Sequence, residues 1–132
     1  MGLARRMSYR RWRVDRMVSV WESLTVDARD PARLARWWAE ALGYQVVTEQ
    51  PGAVEIRQSA DRLPGIVFVP LSGDKQGKSR LRLDLRPADQ EAEVERLVDM
   101  GARHVDVGQG EVDWTVLADP EGNEFRVLRQ RG

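Results

Sequence analysis

Apolar and polar residues follow the same order twice along this chain. In the first half, an alternating stretch at 21–26 precedes a helical pattern that begins with Asp30 and Pro31 and ends before Gly43. Aspartate before a helix, proline at its first position and glycine after its last turn are favoured residues at helix ends. Three short strand-like stretches follow, at 44–49, 53–58 and 65–71. The pattern therefore predicts a βαβββ unit.

The second half repeats this order. Residues 80–86 alternate strictly between polar and apolar side chains, which is the clearest strand pattern in the sequence. A helix with an acidic first turn begins at Asp89 and ends at Gly101. The last two of the remaining strands are joined by the turn DPEGN at 119–123, in which proline presets φ and glycine accepts a positive φ. Those remaining strands are predicted at 103–107, 112–118 and 124–129, which completes a second βαβββ unit.

A polar linker at 72–78, without a single apolar residue, separates the two units. Glycine and charged residues in such a segment are typical of a flexible loop. We therefore predict two modules, at 21–71 and 79–130, that together form one α+β domain at 21–130. The chain of 132 residues is long enough for a single hydrophobic core.

The sequence contains no cysteine and one histidine, His104. A disulfide scaffold, a thiolate metal site and a cysteine nucleophile are therefore excluded, and the usual zinc sites lack their ligands. Because His104 has no neighbour in the sequence that would orient it, we interpret it as a surface residue rather than a base. No catalytic triad, phosphate-binding glycine loop or cofactor fingerprint is present, so we expect no cofactor.

Charge and hydropathy bear on the partners of the protein. The 21 basic and 21 acidic residues balance, but residues 1–20 hold six arginines against one aspartate. This basic N-terminal extension could contact nucleic acid or another anionic surface. Since no recognised binding motif accompanies the arginines, we favour an extension that packs on the acidic domain, or sequence upstream of a natural start at Met17, and we do not expect nucleic acid as a partner. No stretch is apolar enough for a membrane span or a signal peptide, which predicts a cytoplasmic protein without a membrane partner.

Three segments of the tandem βαβββ arrangement carry a family resemblance. They read DARDPARLARWWAEALGY at 27–44, SRLRLDLRPADQEAEVERLVDMGARHVDVGQG at 79–110 and WTVLADPEGNEFRVL at 114–128. The chain resembles the glyoxalase-like domains of the vicinal oxygen chelate superfamily, which also contains bleomycin resistance proteins and dihydroxybiphenyl dioxygenases. The resemblance implies a curled mixed sheet around a ligand-binding cleft, with the helices on its convex face.

The resemblance also places four positions at which metal-dependent members carry histidine and glutamate ligands. Matched by their motifs, these positions fall at Ser23, Val69, Arg82 and Arg126. None of the four residues is a competent metal ligand, since a guanidinium is always protonated and has no lone pair to give. The resemblance therefore implies a metal-independent member of the superfamily.

Two arginines in one cleft would suit an anionic ligand. Arg82 and Arg126 could bind a carboxylate, a phosphate or an enolate oxygen, because a guanidinium donates two parallel hydrogen bonds. Two other interpretations remain open. The polar residues of 80–86 could be the solvated face of a strand. Arg126 could instead form an ion pair with Asp84 or Glu124.

The sequence thus predicts a small-molecule-binding protein with a cleft for a polar or anionic ligand. Trp38 is assigned to the core, whereas Trp114 is a candidate for the cleft. An alternative is a metal-independent lyase or isomerase, in which Glu124 or Asp84 acts as the base and the arginines hold the oxyanion. A further alternative is a drug-sequestering protein, which would form a homodimer to build a shared groove. The predicted ligand contacts are Ser23, Val69, Arg82, Trp114 and Arg126.

Overall fold

A computed structural model describes residues 20–71, 81–105 and 113–131. The first module contains β1 (Ser23–Ala28), α1 (Pro31–Leu42), β2 (Gln45–Gln50), β3 (Ala53–Arg57) and β4 (Gly65–Pro70). The second module contains β5 (Asp84–Leu85), α2 (Gln90–Asp99), β6 (Arg103–His104), β7 (Trp114–Ala118) and β8 (Glu124–Leu128). The predicted α+β class and the two tandem βαβββ modules are confirmed.

The two modules have the same sheet topology. The strand order is β1-β4-β3-β2 in the first sheet and β5-β8-β7-β6 in the second. In each sheet the first strand of the module pairs in parallel with the last strand, and the other pairings are antiparallel. Parallel strands cannot be joined by a tight hairpin and need a longer crossover connection, which in each module contains the helix. Among the described residues, neither helix is long and apolar enough to cross a membrane.

The helix ends follow the predicted capping residues. The Asp30 carboxylate accepts a hydrogen bond from the Arg33 backbone N–H, and Gly43 closes α1 with a φ of 69°. Only glycine adopts that left-handed conformation without a steric cost. The Asp89 carboxylate likewise accepts from the Ala92 backbone N–H at the start of α2.

Several strands differ in extent from the prediction. β1 begins two residues later than predicted, and β5 contains two residues rather than the seven of 80–86. The register explains the second difference, because Asp84 pairs with Arg126 and β8 begins only at Glu124. Leu81 therefore lies before the first position that β8 could pair with. The predicted linker at 72–78, nearly all of the basic extension and most of the loop between β6 and β7 lie outside the described residues.

The core lies between the helices and one face of each sheet. Its largest fully buried side chains belong to strands, namely Phe68, Ile56, Leu117, Phe125 and Val127, and to the helices, namely Leu34 and Leu97. In β3 and β8 these buried residues alternate with half-buried ones. This alternation is the period of two that the sequence showed. The predicted assignment of Trp38 to the core is confirmed, since it is 4% exposed.

A buried carboxylate joins the two modules. Asp119 of the predicted turn is fully buried and accepts a 2.9 Å hydrogen bond from the Trp38 indole Nε1 of α1. It also accepts from the backbone N–H groups of Glu121 and Asn123 and from the Asn123 amide. The Glu121 carboxylate in turn accepts from the Arg29 and Asp30 backbone N–H groups, just before α1. The turn of the second module is therefore fixed to the helix of the first.

Candidate ligand-binding cleft

A cleft of about 570 Å³ lies between the modules, and we call it the inter-module cleft. Its first wall comes from the first module and consists of Trp21, Leu24, Thr25, Val26, Asp27, Trp38, Ile66, Phe68 and Leu71. Its second wall comes from the second module and consists of Leu81, Arg82, Leu83, Asp119, Asn123, Glu124 and Phe125. The volume falls within the range of roughly 300–1,000 Å³ that is usual for small-molecule sites.

The walls of the cleft are mainly apolar. Leu24, Val26, Ile66 and Phe68 lie side by side on the parallel strands β1 and β4. Two large apolar side chains remain exposed to solvent, Trp21 by 63% and Leu81 by 73%. Exposed apolar surface of this kind is covered favourably by a ligand, at about 25 cal/mol for each Å² removed from water. The lining therefore suits a molecule with an apolar body.

Three charged side chains in the lining are available to a ligand. Asp27, Arg82 and Glu124 form no hydrogen bond or ion pair with any residue that the structure describes. Asp119 also lines the cleft, but its carboxylate is already satisfied by Trp38, the turn backbone and Asn123. Among the described residues, the lining thus contains one guanidinium and two carboxylates that have no partner there.

Arg126 is engaged by Asp84. Its Nε donates to Oδ1 at 2.7 Å and its Nη2 donates to Oδ2 at 2.6 Å, which is a bidentate ion pair. The hydrogen bonds from Arg126 hold the pKa of the Asp84 carboxyl below its usual value, and the positive charges of Arg126, Arg82 and Arg86 add to the effect. The guanidinium of Arg126 also stacks over the Trp114 ring, 4.9 Å from its centroid. Of the arrangements that the sequence left open for Arg126, the structure shows the ion pair with Asp84.

The structure separates the predicted site residues into two groups. Arg82 and Glu124 line the inter-module cleft, as just described. The other predicted residues lie outside its lining: Ser23, Val69, Asp84, Trp114 and Arg126. Ser23 and Val69 occupy the face of the first sheet that points away from the core, since they alternate with buried Phe68 and half-buried Leu24. Their roles as ligand contacts remain predictions.

The four positions implied for a metal do not fit a divalent cation. Among them only Ser23 offers an oxygen, Val69 offers no donor atom, and Arg82 and Arg126 carry positive charge. Arg126 is in addition held by Asp84. Within 20–71, 81–105 and 113–131, no three histidine, aspartate or glutamate side chains come together as a metal site would require.

Sequence reasoning missed several residues of the lining. Asp27 was not singled out, although it follows the apolar residue Val26 in β1. Leu71 and Leu81 lie on either side of the polar linker that joins the modules. Apolar residues at the two ends of such a connection could have been predicted to lie near the boundary between the modules. Trp21 precedes β1 and was predicted to be part of the strand.

A second, smaller cavity of about 350 Å³ lies beside α2. Val94 and Val98 contribute apolar surface to it, and Glu91, Glu95, Asp99 and His104 contribute polar groups. None of the predicted site residues lines this cavity. We therefore regard the inter-module cleft as the candidate site.

The comparison with protein families identifies the family of this chain. The profile of the glyoxalase-like domain family matches residues 23–128, which span both modules. The chain therefore belongs to the glyoxalase-like domain family. A search of curated protein sequences found no match.

Solved structures show the same fold at low sequence identity. An enzyme of the glyoxalase/bleomycin resistance protein/dioxygenase family from Burkholderia phytofirmans is 18% identical with a TM-score of 0.64, over 86% of this chain and 100% of that chain. A bleomycin resistance determinant encoded on the transposon Tn5 is 18% identical with a TM-score of 0.58, over 86% and 100%. An antibiotic binding protein from a Streptomyces species is 20% identical with a TM-score of 0.60, over 86% and 98%.

Proposed function

We propose that this protein binds a small organic molecule in the inter-module cleft and does so without a metal. The observation that carries the proposal is the cleft of about 570 Å³, whose mainly apolar lining includes the guanidinium of Arg82. Apolar contacts would hold the body of the ligand, and the Arg82 guanidinium would donate hydrogen bonds to a polar or anionic group on it. Arg82 is available for this because it has no hydrogen-bond partner in the described part of the chain.

The proposed metal independence rests on the chemistry of the residues. At the positions where metal-dependent relatives would carry ligands, this chain places two guanidinium groups, a valine and one hydroxyl. A guanidinium at two of the four positions offers no lone pair to a metal ion. The ligand would therefore be held by direct contacts with the protein.

Dansyl glycine is a suitable probe for this proposal, because it combines an apolar ring system with one carboxylate. We expect saturable binding with a stoichiometry of one, unchanged after treatment with EDTA. The Leu81→Glu variant should weaken binding, since it places a carboxylate at the mouth of the cleft, whereas Val46→Glu should not. Val46 is a matched control because it is also an exposed apolar residue but lies outside the lining. Binding that requires a metal, or that is equal in both variants, would contradict the proposal.

A lyase or isomerase activity is the second candidate, and one observation favours it. Glu124 lines the cleft with no hydrogen-bond partner among the described residues, as a general base would need. Asp84 is less suited, because the bonds from Arg126 lower its pKa and thus weaken it as a base. This activity is tested by incubating small 2-keto acids with the protein in D₂O. NMR then measures the exchange of the C–H hydrogens adjacent to the keto group for deuterium. Exchange that is lost in Glu124→Gln would support catalysis, and exchange unaffected by that variant would contradict it.

Drug sequestration is a narrower form of the binding proposal. The fold is shared with the bleomycin resistance determinant and the antibiotic binding protein described above, so a binding role without catalysis is compatible with it. A sequestering protein of this type would form a homodimer with a shared groove. Sedimentation of the purified protein as a monomer, with undiminished probe binding, would contradict this narrower form. A cytoplasmic location without a membrane or nucleic acid partner also remains a prediction.

A further inference from the structure

Two neighbouring pairs of opposite charges on the second sheet behave differently. Asp84 and Arg126 are register partners on the parallel strands β5 and β8, and they form a closed ion pair. Arg82 and Glu124 each precede one of these partners by two residues. Glu124 is the first residue of β8 and shares the face of Arg126, whereas Arg82 lies just before β5. The basic residue now belongs to the β5 side and the acidic residue to β8, which is the reverse of the Asp84–Arg126 pair.

The earlier pair is open. Neither Arg82 nor Glu124 forms an ion pair within 4 Å or a hydrogen bond to any other described residue, and both line the inter-module cleft. The parallel pairing of Asp84 with Arg126, extended by the hydrogen bond from the Arg126 backbone N–H to the Leu83 carbonyl, brings the chain before β5 alongside the start of β8. A guanidinium and a carboxylate thus line the same wall of an apolar cleft, and neither has a partner among the described residues.

We infer that the cleft recognises an apolar molecule that carries an α-amino acid type of zwitterion, and this inference rests on the proposed binding function. The ligand carboxylate accepts hydrogen bonds from the Arg82 guanidinium, and the ligand ammonium donates to the Glu124 carboxylate. The apolar part of the ligand lies against Leu24, Val26 and Leu83, which line the cleft and are half-buried. Such a ligand satisfies both charges at once, whereas a ligand with a single charge leaves one of them without a partner.

The charges on the other wall fit the same ligand. Asp27 is the only charged residue that the first module contributes to the described lining, and it is an acid. Among the described residues of the lining, Arg82, Asp27 and Glu124 together carry a net negative charge. A purely anionic ligand is therefore disfavoured relative to a zwitterion, which brings its own positive charge.

Four dansyl probes with one fluorophore separate the charge requirements. Dansyl amide is neutral, dansyl glycine is an anion, dansyl ethylenediamine is a cation, and Nε-dansyl-lysine is a zwitterion with the α-amino acid geometry. Fluorescence titration of the full chain with each probe gives four dissociation constants. We expect the zwitterion to bind about fivefold to tenfold more tightly than either singly charged probe. This factor lies between the contribution of an exposed ion pair and that of a charge-assisted hydrogen bond.

Charge-removing variants assign each half of the zwitterion. Arg82→Met should weaken binding of the zwitterion and the anion by about fivefold to tenfold, and the cation should bind at least as tightly as before because a repelling charge is removed. Glu124→Gln should weaken the zwitterion and the cation, and the anion should bind at least as tightly as before. Arg103→Met and Glu95→Gln serve as controls, because both residues are exposed and lie outside the inter-module cleft.

The outcomes distinguish this inference from the function on which it rests. Equal binding of all four probes, or weakening of the zwitterion by Asp27→Asn but not by Glu124→Gln, overturns the inference and leaves binding in the cleft intact. If no probe binds, to either the unaltered protein or the Leu81→Glu variant, both the inference and the proposed binding function are overturned. Tightest binding of the zwitterion with the two variant effects described supports both.

Discussion

Arg126 and Asp84 are joined by two parallel hydrogen bonds across the ladder of β5 and β8, and this ion pair decides which arginine can serve the cleft. The charge of Arg126 is balanced by Asp84, its guanidinium stacks over Trp114, and it lies outside the lining of the cleft. Arg82, two residues before Asp84, has no ion-pair or hydrogen-bond partner among the described residues and lines the cleft. Of the two arginines suggested by the sequence, Arg126 thus forms a structural ion pair, and Arg82 is the candidate for binding a ligand.

The Asp84–Arg126 pair should make stability depend on pH. The pKa of Asp84 is lowered in the folded protein, so its contribution is complete above the usual aspartate pKa of about 4 and is lost as the pH falls through the lower folded value. Asp84→Asn should therefore be less stable than the unaltered protein at pH 7, and the difference should shrink below about pH 4. Urea denaturation at a series of pH values measures it.

Asp113→Asn is the matched control for this experiment. Asp113 is 81% exposed and lies 3.8 Å from Arg129, so its ion pair should contribute little at any pH. A difference between Asp84→Asn and the unaltered protein that does not change between pH 7 and pH 3 would show that the pair does not act through its charge.

Replacement of Asp119 should destabilise the whole domain. Asp119→Ala leaves the Trp38 indole N–H and two backbone N–H groups of the turn without their acceptor. Unsatisfied buried donors cost about 1–3 kcal/mol each, so we expect a loss of roughly 3 kcal/mol or more in the free energy of unfolding. Urea denaturation with Asp113→Ala as the exposed control measures the loss. A loss below about 1 kcal/mol would show that the turn is not what holds the modules together.

Removal of residues 1–16 should leave the fold intact. The described elements begin at Ser23, and the predicted module begins at residue 21. The truncated chain should keep its circular dichroism spectrum, with a change of about 1 kcal/mol or less in stability. An unfolded truncated chain would mean that the basic extension is part of the domain.

The purified protein should contain no stoichiometric transition metal. Ser23, Val69, Arg82 and Arg126 offer no set of donors for one. Elemental analysis of untagged protein should give far less than one equivalent of zinc, nickel or iron. About one equivalent, retained through dialysis, would contradict the proposed metal independence.

The sequence predicted the elements of the fold better than their contacts. Helix ends at Asp30, Gly43 and Asp89 follow from the local preferences of capping residues, which act over a few residues. The hydrogen bonds from Arg29 and Asp30 to the Glu121 carboxylate could not be predicted, because these residues are separated from Glu121 by 92 and 91 positions in the sequence. The length of β5 likewise depends on where its partner β8 begins.

The candidate site shows the same limit. Alternation placed Arg82 and Asp84 on one strand face, but alternation does not tell which of two neighbouring charges closes an ion pair. Leu24, Val26 and Phe68 were predicted as apolar strand residues, and periodicity does not distinguish a packed core from the wall of a cleft. The gap between the modules arises from packing between elements that are distant in sequence.

The central claim, that small molecules bind between the modules, is tested most directly by the tryptophan indole N–H signals in an NMR titration. Trp21 and Trp38 line the inter-module cleft, whereas Trp37 donates its indole N–H to Met100 and Trp114 stacks with Arg126 outside the lining. On titration with Nε-dansyl-lysine, the account predicts saturable shifts of the Trp21 and Trp38 signals with little change in those of Trp37 and Trp114. The claim would be contradicted if only the Trp114 signal shifted, or if the Trp21 and Trp38 signals both stayed unchanged.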